Sequence, residues 1–259
     1  MALRKSTGLV DFIAGSGSAR QALSNGRSFI YSGTQPATAD DAVTGTLLVT
    51  LTKGSGTFTA ETLPVWQFTL TGTSGSLTSV KVGSVECLST SVAFTTDLTT
   101  TATAVAANIT ANFSLPDFTA TSSGAVVSVI GPFGCGATLN DMTIATIVSG
   151  GDLDATVASS GNPTTSGVTA VNGCNWQFPA SVGALSKETT AWSGVAVATG
   201  TAGWFRYKAD SADTDGSSTT FKRMDGAIAT SGAELNLSST SITSGATISV
   251  STATFTVSK

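Results

Sequence analysis

The chain contains no histidine. That excludes a Ser-His-Asp or Cys-His nucleophile system, a histidine general base and His-ligated zinc. Charge is scarce as well. The 12 basic and 16 acidic residues make up 11% of 259 residues, less than half the usual share of about a quarter. The net charge of −4 and the isoelectric point near 4.7 argue against a nucleic-acid partner, which calls for a basic face. Three cysteines, Cys87, Cys135 and Cys174, are an odd number with no CxxC pair. They exclude a disulfide framework and read as free, mostly buried thiols. No run of 18 apolar residues exists, so no membrane helix is expected. The opening segment MALRKSTGLVDFIAGSGSA carries Arg4 and Lys5 but no apolar core of useful length, so no signal peptide is expected.

What the chain has instead is hydroxyl and glycine. Counting gives 35 Ser, 45 Thr and 28 Gly. The 41% hydrophobic residues and mean hydropathy of +0.26 still supply a core, which argues against disorder. The length allows one large domain or two ordinary ones.

The first residues read as partly helical. Leu9, Phe12 and Ile13 share a face, and Ser18 is placed to cap a short helix from Ala19 to Asn25, closed by Gly26. Strands follow at RSFIYSG (27–33) and TLLVTLTKG (46–54), separated by a polar, turn-rich stretch. Then the texture changes. The 105 residues 82–186 hold no Lys or Arg and six carboxylates, Glu86, Asp97, Asp117, Asp141, Asp152 and Asp154. Such a shift marks a module boundary.

Inside this module Trp66, Phe68 and Leu70 alternate in a strand, and residues 77–88 form a hairpin turning at Gly83-Ser84. Residues 99–113 form the clearest helix, with Ala102, Val105, Ala106, Ile109 and Phe113 on one face, an N-cap from the Thr run and Pro116 as stop signal. A second hairpin turns near Gly124, and residues 142–150 add a strand. Residues 151–173 read as a linker with one weak strand at 168–171. The texture of the flank returns at NWQFPA (175–180), and later strands are expected on both sides of a Gly200–Gly203 turn, at 219–229 and over 244–259.

Each candidate for chemistry has an ordinary counterpart. Asp210, Asp213, Asp215 and Gly216 could make a calcium loop. Aligning Gly216 with the sixth EF-hand position puts Ser211 first and Lys222 twelfth, both wrong as ligands, so an Asp-Gly turn is the plainer reading. Asp152 and Asp154 read as a solvated acidic loop. Glu61 and Glu86 have no carboxylate nearby in sequence with which to form a glycosidase pair. The loop GSGS (15–18) could cradle phosphate but has Ala19 where a Walker lysine would stand and follows no clear strand, and GPFGCG (131–136) lacks a following helix, so they read as a helix–helix connection and a loop. Cys135 has no basic residue within 50 positions to activate it. Trp66, Trp176, Trp192 and Trp204 could stack on sugars or simply pack. Asn108, Asn112 and Asn236 begin glycosylation-type triplets that read as chance matches. No catalytic, cofactor-binding or metal-ligating residue is assigned, and no cofactor is expected.

Two sets of segments resemble known families. MALRKSTGL, residues 21–48 and AWSGVAVATGTAGWFRYKA through DGAIATSGAELNLSSTSITSGATISVSTATFTV resemble a family of tailed-bacteriophage virion proteins. SLTSVKVGSVECL, TATAVAANITANFSLPDFTATSSGAVVSV and GPFGCGATLND resemble a separate small domain that recurs in phage structural proteins. The resemblance implies a mainly β protein. A β-sandwich-like parent domain with a short N-terminal helical segment (1–57 and 166–259) would be split by an inserted α+β domain of about six strands and one helix (58–165). It implies a non-enzymatic virion component, a capsid decoration protein or alternatively a tail, neck or fibre component that binds host glycans. The expected partners are other copies of itself, as a homo-oligomer, and phage capsid or tail proteins, with no nucleic acid and no membrane. The expected location is the virion, assembled in the host cytoplasm.

Overall fold

A computed structural model describes residues 3–15, 17–177 and 183–256. The protein is mainly β and divides into two compact units, Met1–Ala60 with Ala170–Lys259, and Glu61–Thr169. The first unit opens with β1 (Arg4–Lys5), α1 (Thr7–Gly15), α2 (Ala19–Ala22), β2 (Arg27–Ser32) and β3 (Leu47–Lys53). The second unit holds β4 (Val65–Thr71), β5 (Ser76–Val82), β6 (Val85–Glu86), β7 (Val92–Ala93), α3 (Leu98–Ala111), β8 (Thr119–Ser123), β9 (Val126–Ile130), β10 (Ile144–Ser149) and β11 (Asp154–Val157). The chain then returns to the first unit with β12 (Trp176–Gln177), β13 (Ala184–Lys187), β14 (Trp192–Val195), β15 (Gly200–Lys208), β16 (Arg223–Ala229), β17 (Leu235–Leu237), β18 (Ser241–Ile242) and β19 (Thr247–Thr256).

In the first unit β16, β15, β2, β3, β14 and β19 are successive hydrogen-bonded neighbours. β17 pairs with β16 on one side and β19 on the other, so the ring closes into a barrel-like sheet. The segment resemblance implies a sandwich-like parent domain; the sheet that forms is barrel-like. The difference rests on β17, three residues long and parallel to β16, too short to show a period. Alternation along the strands fills the barrel. Ile30, Phe205, Tyr207, Met224, Ile228, Leu235 and Phe255 belong to one apolar cluster, joined by Leu9 and Phe12 of α1 and Ala19 and Ala22 of α2. Trp176 meets Trp192 and Phe255 edge-on at 4.7 and 4.9 Å.

Several local expectations shift. Ser18 caps α2 by accepting from the Gln21 N–H, but the helix ends at Ala22 rather than Asn25. Gly26 is drawn away into a two-way bridge with Cys174, and Asn25 takes a positive φ of 53°. Gly200–Gly203 is no turn but the start of β15, where the register shifts between Ala202 and Trp204. Glycine is required there: a Cβ on Gly203 would lie 2.0 Å from the Gly33 carbonyl oxygen. Within NWQFPA, Trp176 and Gln177 form β12. Phe178, Pro179 and Ala180 lie outside the described residues, as do Ser16 of the GSGS loop and the last three residues.

In the second unit, β11-β4-β9-β8 form one sheet, and β10-β5-β6 with β7 on β5 form the other. Trp66, Phe68 and Leu70 of β4 and Val127 and Val129 of β9 share a core with Leu77, Val80 and Val82 of β5 and with Ala102, Val105 and Ile109 of α3. The two hairpins turn where expected, with Val82 opposite Val85 and Ser123 opposite Val126. There are eight strands where about six are expected: β7 is a separate two-residue strand on β5, and β11 lies in the stretch read as linker. It pairs with β4 from Asp154 opposite Thr71 to Val157 opposite Phe68. Helix α3 is capped by Asp97, whose Oδ1 accepts from the Thr100 N–H at 2.8 Å, not by the Thr run. It stops at Ala111, so Phe113 leaves the helix face and is exposed.

Candidate functional site

The densest chemistry among the described residues is a lattice of six charges, five of them buried, over the outer face of β15 and β16. β15 alternates: Phe205 and Tyr207 face the barrel core, which turns Trp204, Arg206 and Lys208 outward. On β16 Met224 and Ile228 face the core, and Arg223 and Asp225 turn outward. These outward residues are nevertheless buried. The connections 33–46 and 209–222 supply their partners and are themselves joined where the Val43 N–H donates to the Asp215 carbonyl and the Ser218 N–H to the Asp40 carbonyl.

The lattice is tightly paired. Arg206 Nε and Nη2 donate to both carboxylate oxygens of Asp225 at 2.9 and 2.8 Å. Arg206 Nη2 also reaches the Asp41 carbonyl at 2.9 Å. Arg223 Nε and Nη2 grip Asp213 at 2.7 and 2.6 Å. Lys208 Nζ sits 2.7 Å from Asp215 and 2.6 Å from the Asp213 carbonyl oxygen. Its ammonium also lies 4.9 Å from the centre of the Phe29 ring. Beside the lattice, Tyr31 and Trp204 stack at 4.7 Å.

Burial opposes the charged form of Arg206, but the hydrogen bonds and attraction of Asp225, with Asp215 and Asp213, more than offset it and hold its pKa above the ordinary value. Burial likewise pushes the Asp213 carboxyl up, but Arg223, the Asp215 N–H and Lys208 outweigh it, so its pKa lies below the ordinary range. Burial and the neighbouring Asp215 raise the Tyr31 phenol. Three cations face three carboxylates, so the lattice is neutral as a whole. Its chemistry is that of a clamp: it fastens two long connections to the outside of the barrel.

This answers the calcium-loop candidate. Asp213 and Asp215 are spent on Arg223 and Lys208, and the carboxylate of Asp210 accepts from the Ala212 N–H. Among the described residues no group of three His, Cys, Asp or Glu side chains is arranged to hold a metal ion. Arg206, Arg223 and Asp225 were not singled out in the sequence. The one available signal was the presence of charged residues at alternate positions in strands of an otherwise charge-poor chain.

The glycine loop GPFGCG also has its anion. The Glu61 carboxylate accepts from the N–H groups of Gly134 at 2.9 Å and Gly136 at 3.3 Å, an internal ligand in the nest that was a candidate phosphate cradle. Cys135, in the same loop, has its thiol pushed up to about 12, first by burial and then by Glu61. Burial likewise pushes the Cys87 thiol up to about 12. Asp152 and Asp154 are exposed, as a solvated acidic loop would be, and Asp152 also clasps its loop by accepting from the Thr73 N–H and the Ser74 hydroxyl at 3.0 and 2.7 Å. Glu86 accepts from the N–H groups of Val80 and Leu88.

The four tryptophans are buried, which removes them as a sugar-stacking platform. The three asparagines of the glycosylation-type triplets are held by their amides: Asn108 binds Ser89 and Thr90, Asn112 binds the Glu86 carbonyl, and Asn236 binds Ala233. No helix among the described residues is long and apolar enough to cross a membrane. Comparison with family models, with curated proteins and with solved structures yields no match for this chain.

Proposed function

We propose that the chain is a non-enzymatic structural protein of a tailed-bacteriophage particle, attached to the head as a decoration, or cement, protein. The observation that carries this reading is the distribution of charge. Glu61–Thr169 holds seven carboxylates and one lysine, a net of −6, and the remainder of the chain sums to +2. A negative, hydroxyl-rich unit suits the solvent side of a crowded shell, since like charge keeps neighbouring copies soluble. The slightly positive barrel unit suits the grip on the shell. In this reading Glu61–Thr169 is a module inserted into a parent β-domain, as the segment resemblances imply. The partners are further copies of the chain, as a homo-oligomer, and capsid proteins, in a virion assembled in the host cytoplasm.

The closed sheet of the first unit supports such a role. A barrel leaves no long free strand edge for uncontrolled pairing, and the short Ser and Thr side chains lose little entropy on ordering in many copies. The test is location. Antibody labelling and quantitative gels of purified particles should place many copies on the head. Confinement to the tail tube or to one neck ring would remove the decoration role.

A second reading, a tail, neck or fibre component that binds host glycans, is favoured by one observation. Phe113 is exposed, in a unit whose Trp66, Phe68 and Phe118 are buried. A glycan array probed with the intact chain separates the two: specific binding lost in Phe113→Ala supports adhesion, and an empty array leaves the decoration role.

A further inference from the structure

The most exposed large apolar side chains among the described residues stand two residues apart. Phe113 is 70% exposed and Leu115 75% exposed. The loop that carries them is built rather than loose. The Asn112 N–H returns to the carbonyls of Asn108 and Ile109, and the Asn112 side-chain amide reaches the Glu86 carbonyl at 3.3 Å. Between the two apolar residues Ser114 is buried. Its N–H donates to the Asn112 carbonyl, its hydroxyl donates to the Pro116 carbonyl, and it accepts from the Phe118 N–H at 3.1 Å. The fully buried Phe118 ring then packs edge-on against Trp66. An apolar pair on a hydrogen-bonded loop is ordered before it meets a partner, which lowers the entropy lost on binding.

The charge of the unit narrows what the partner is. Its net −6 disfavours an anionic lipid surface and disfavours a second copy of the same unit. The other unit sums to +2 and displays an apolar pair of its own, Val195 at 56% and Val197 at 66% exposure. Val195 ends β14 opposite Thr247, and the Val197 N–H donates to the Leu48 carbonyl, so this pair too is fixed by backbone pairing. We propose that Phe113 and Leu115 of one copy seat on Val195 and Val197 of a second copy. Two different surfaces then meet head to tail, and the pair keeps one of each free, so association continues into a ring or a chain. This rests on the multi-copy reading above, but its test uses the pure chain and can fail while the location in a particle stands.

The experiment is sedimentation velocity of the intact protein over a concentration series, at low salt and at about 0.5 M salt, where exposed charges are screened. The average mass should rise above 25.8 kDa with concentration, and less so in high salt. The pair F113S/L115S and the pair V195S/V197S should each raise the concentration needed at least about tenfold, with circular dichroism unchanged. Mixed together, the two variants should form one-to-one dimers and nothing larger, since each retains the surface the other lacks. A wild-type chain that stays monomeric overturns the proposal, and so does association that survives either pair of substitutions. A mixture that does not dimerise overturns the head-to-tail arrangement.

Discussion

Individual residues in this protein settle electrostatic demands that the sparse charge makes acute. Each buried ionic group of the lattice has a named partner, and the cost of breaking one is large, because a charge left alone in the interior cannot be solvated. Asp225→Ala strands the fully buried Arg206 and should destabilise the barrel unit by about 3–5 kcal/mol, read by chemical denaturation. Replacing Arg206 and Asp225 together by Met and Leu should cost far less, since no unpaired charge remains. The Asp213 carboxyl is depressed in the folded state. Its stabilisation is therefore present above the ordinary aspartate pKa of about 3.9 and lost as pH falls through the folded value. The melting temperature should decline with acid below about pH 4, and Asp213→Asn, already destabilised at neutral pH, should flatten that decline. The thiols lie at the other end of the scale. With Cys87 and Cys135 pushed up to about 12, alkylation of the native protein at pH 8 should be slow at both sites and rapid after unfolding, as read by mass spectrometry.

At the scale of elements, hydroxyl side chains finish what backbone pairing leaves open. β8 has a ladder partner on one side only. On the other side the Thr110 hydroxyl of α3 accepts from the Ala120 N–H at 3.0 Å and lies 3.2 Å from the Ala120 carbonyl oxygen. A threonine thus takes the place of a missing strand. Beyond the far edge of the same sheet, the Thr146 hydroxyl donates to the Ala155 carbonyl of β11. Thr110→Val keeps the shape and removes the bonds. It should cost about 1 kcal/mol and speed hydrogen exchange at the Ala120 amide well above that at its neighbours.

Helix α3 and both hairpins of this unit were legible in sequence because their signals are local: an apolar face at helical spacing, or a Gly turn between alternating strands. The same local view misplaced Phe113. Helical spacing continues through that position, but Asn112 is extended and the chain has already turned away. β11 was missed for the opposite reason. Its four residues, Asp154–Val157, carry no period of their own and form a strand only because β4 lies alongside.

For the molecule as a whole, the chain leaves the barrel unit and returns to it at neighbouring points. The Thr59 N–H donates to the Val171 carbonyl at 3.1 Å, and the Val171 N–H donates back at 2.9 Å. Two strands that lie side by side can be joined by a short connection at little cost in loop entropy. Replacing residues 61–169 by a short Gly/Ser linker should therefore leave a barrel unit that unfolds cooperatively, as read by calorimetry. A product without a cooperative transition would show that the barrel depends on the rest of the chain. The sequence by itself determined the β-rich character, the helix α3, the hairpins and the charge-poor stretch, because each depends on the types and spacing of residues near one another. Only the tertiary structure decided the closure of the barrel and the pairing of the ion lattice. Asp41 and Arg206, Ser6 and Arg223, or Leu23 and Tyr207 stand more than 150 positions apart and touch directly. Such contacts depend on which strands lie next to each other, and no local period records that.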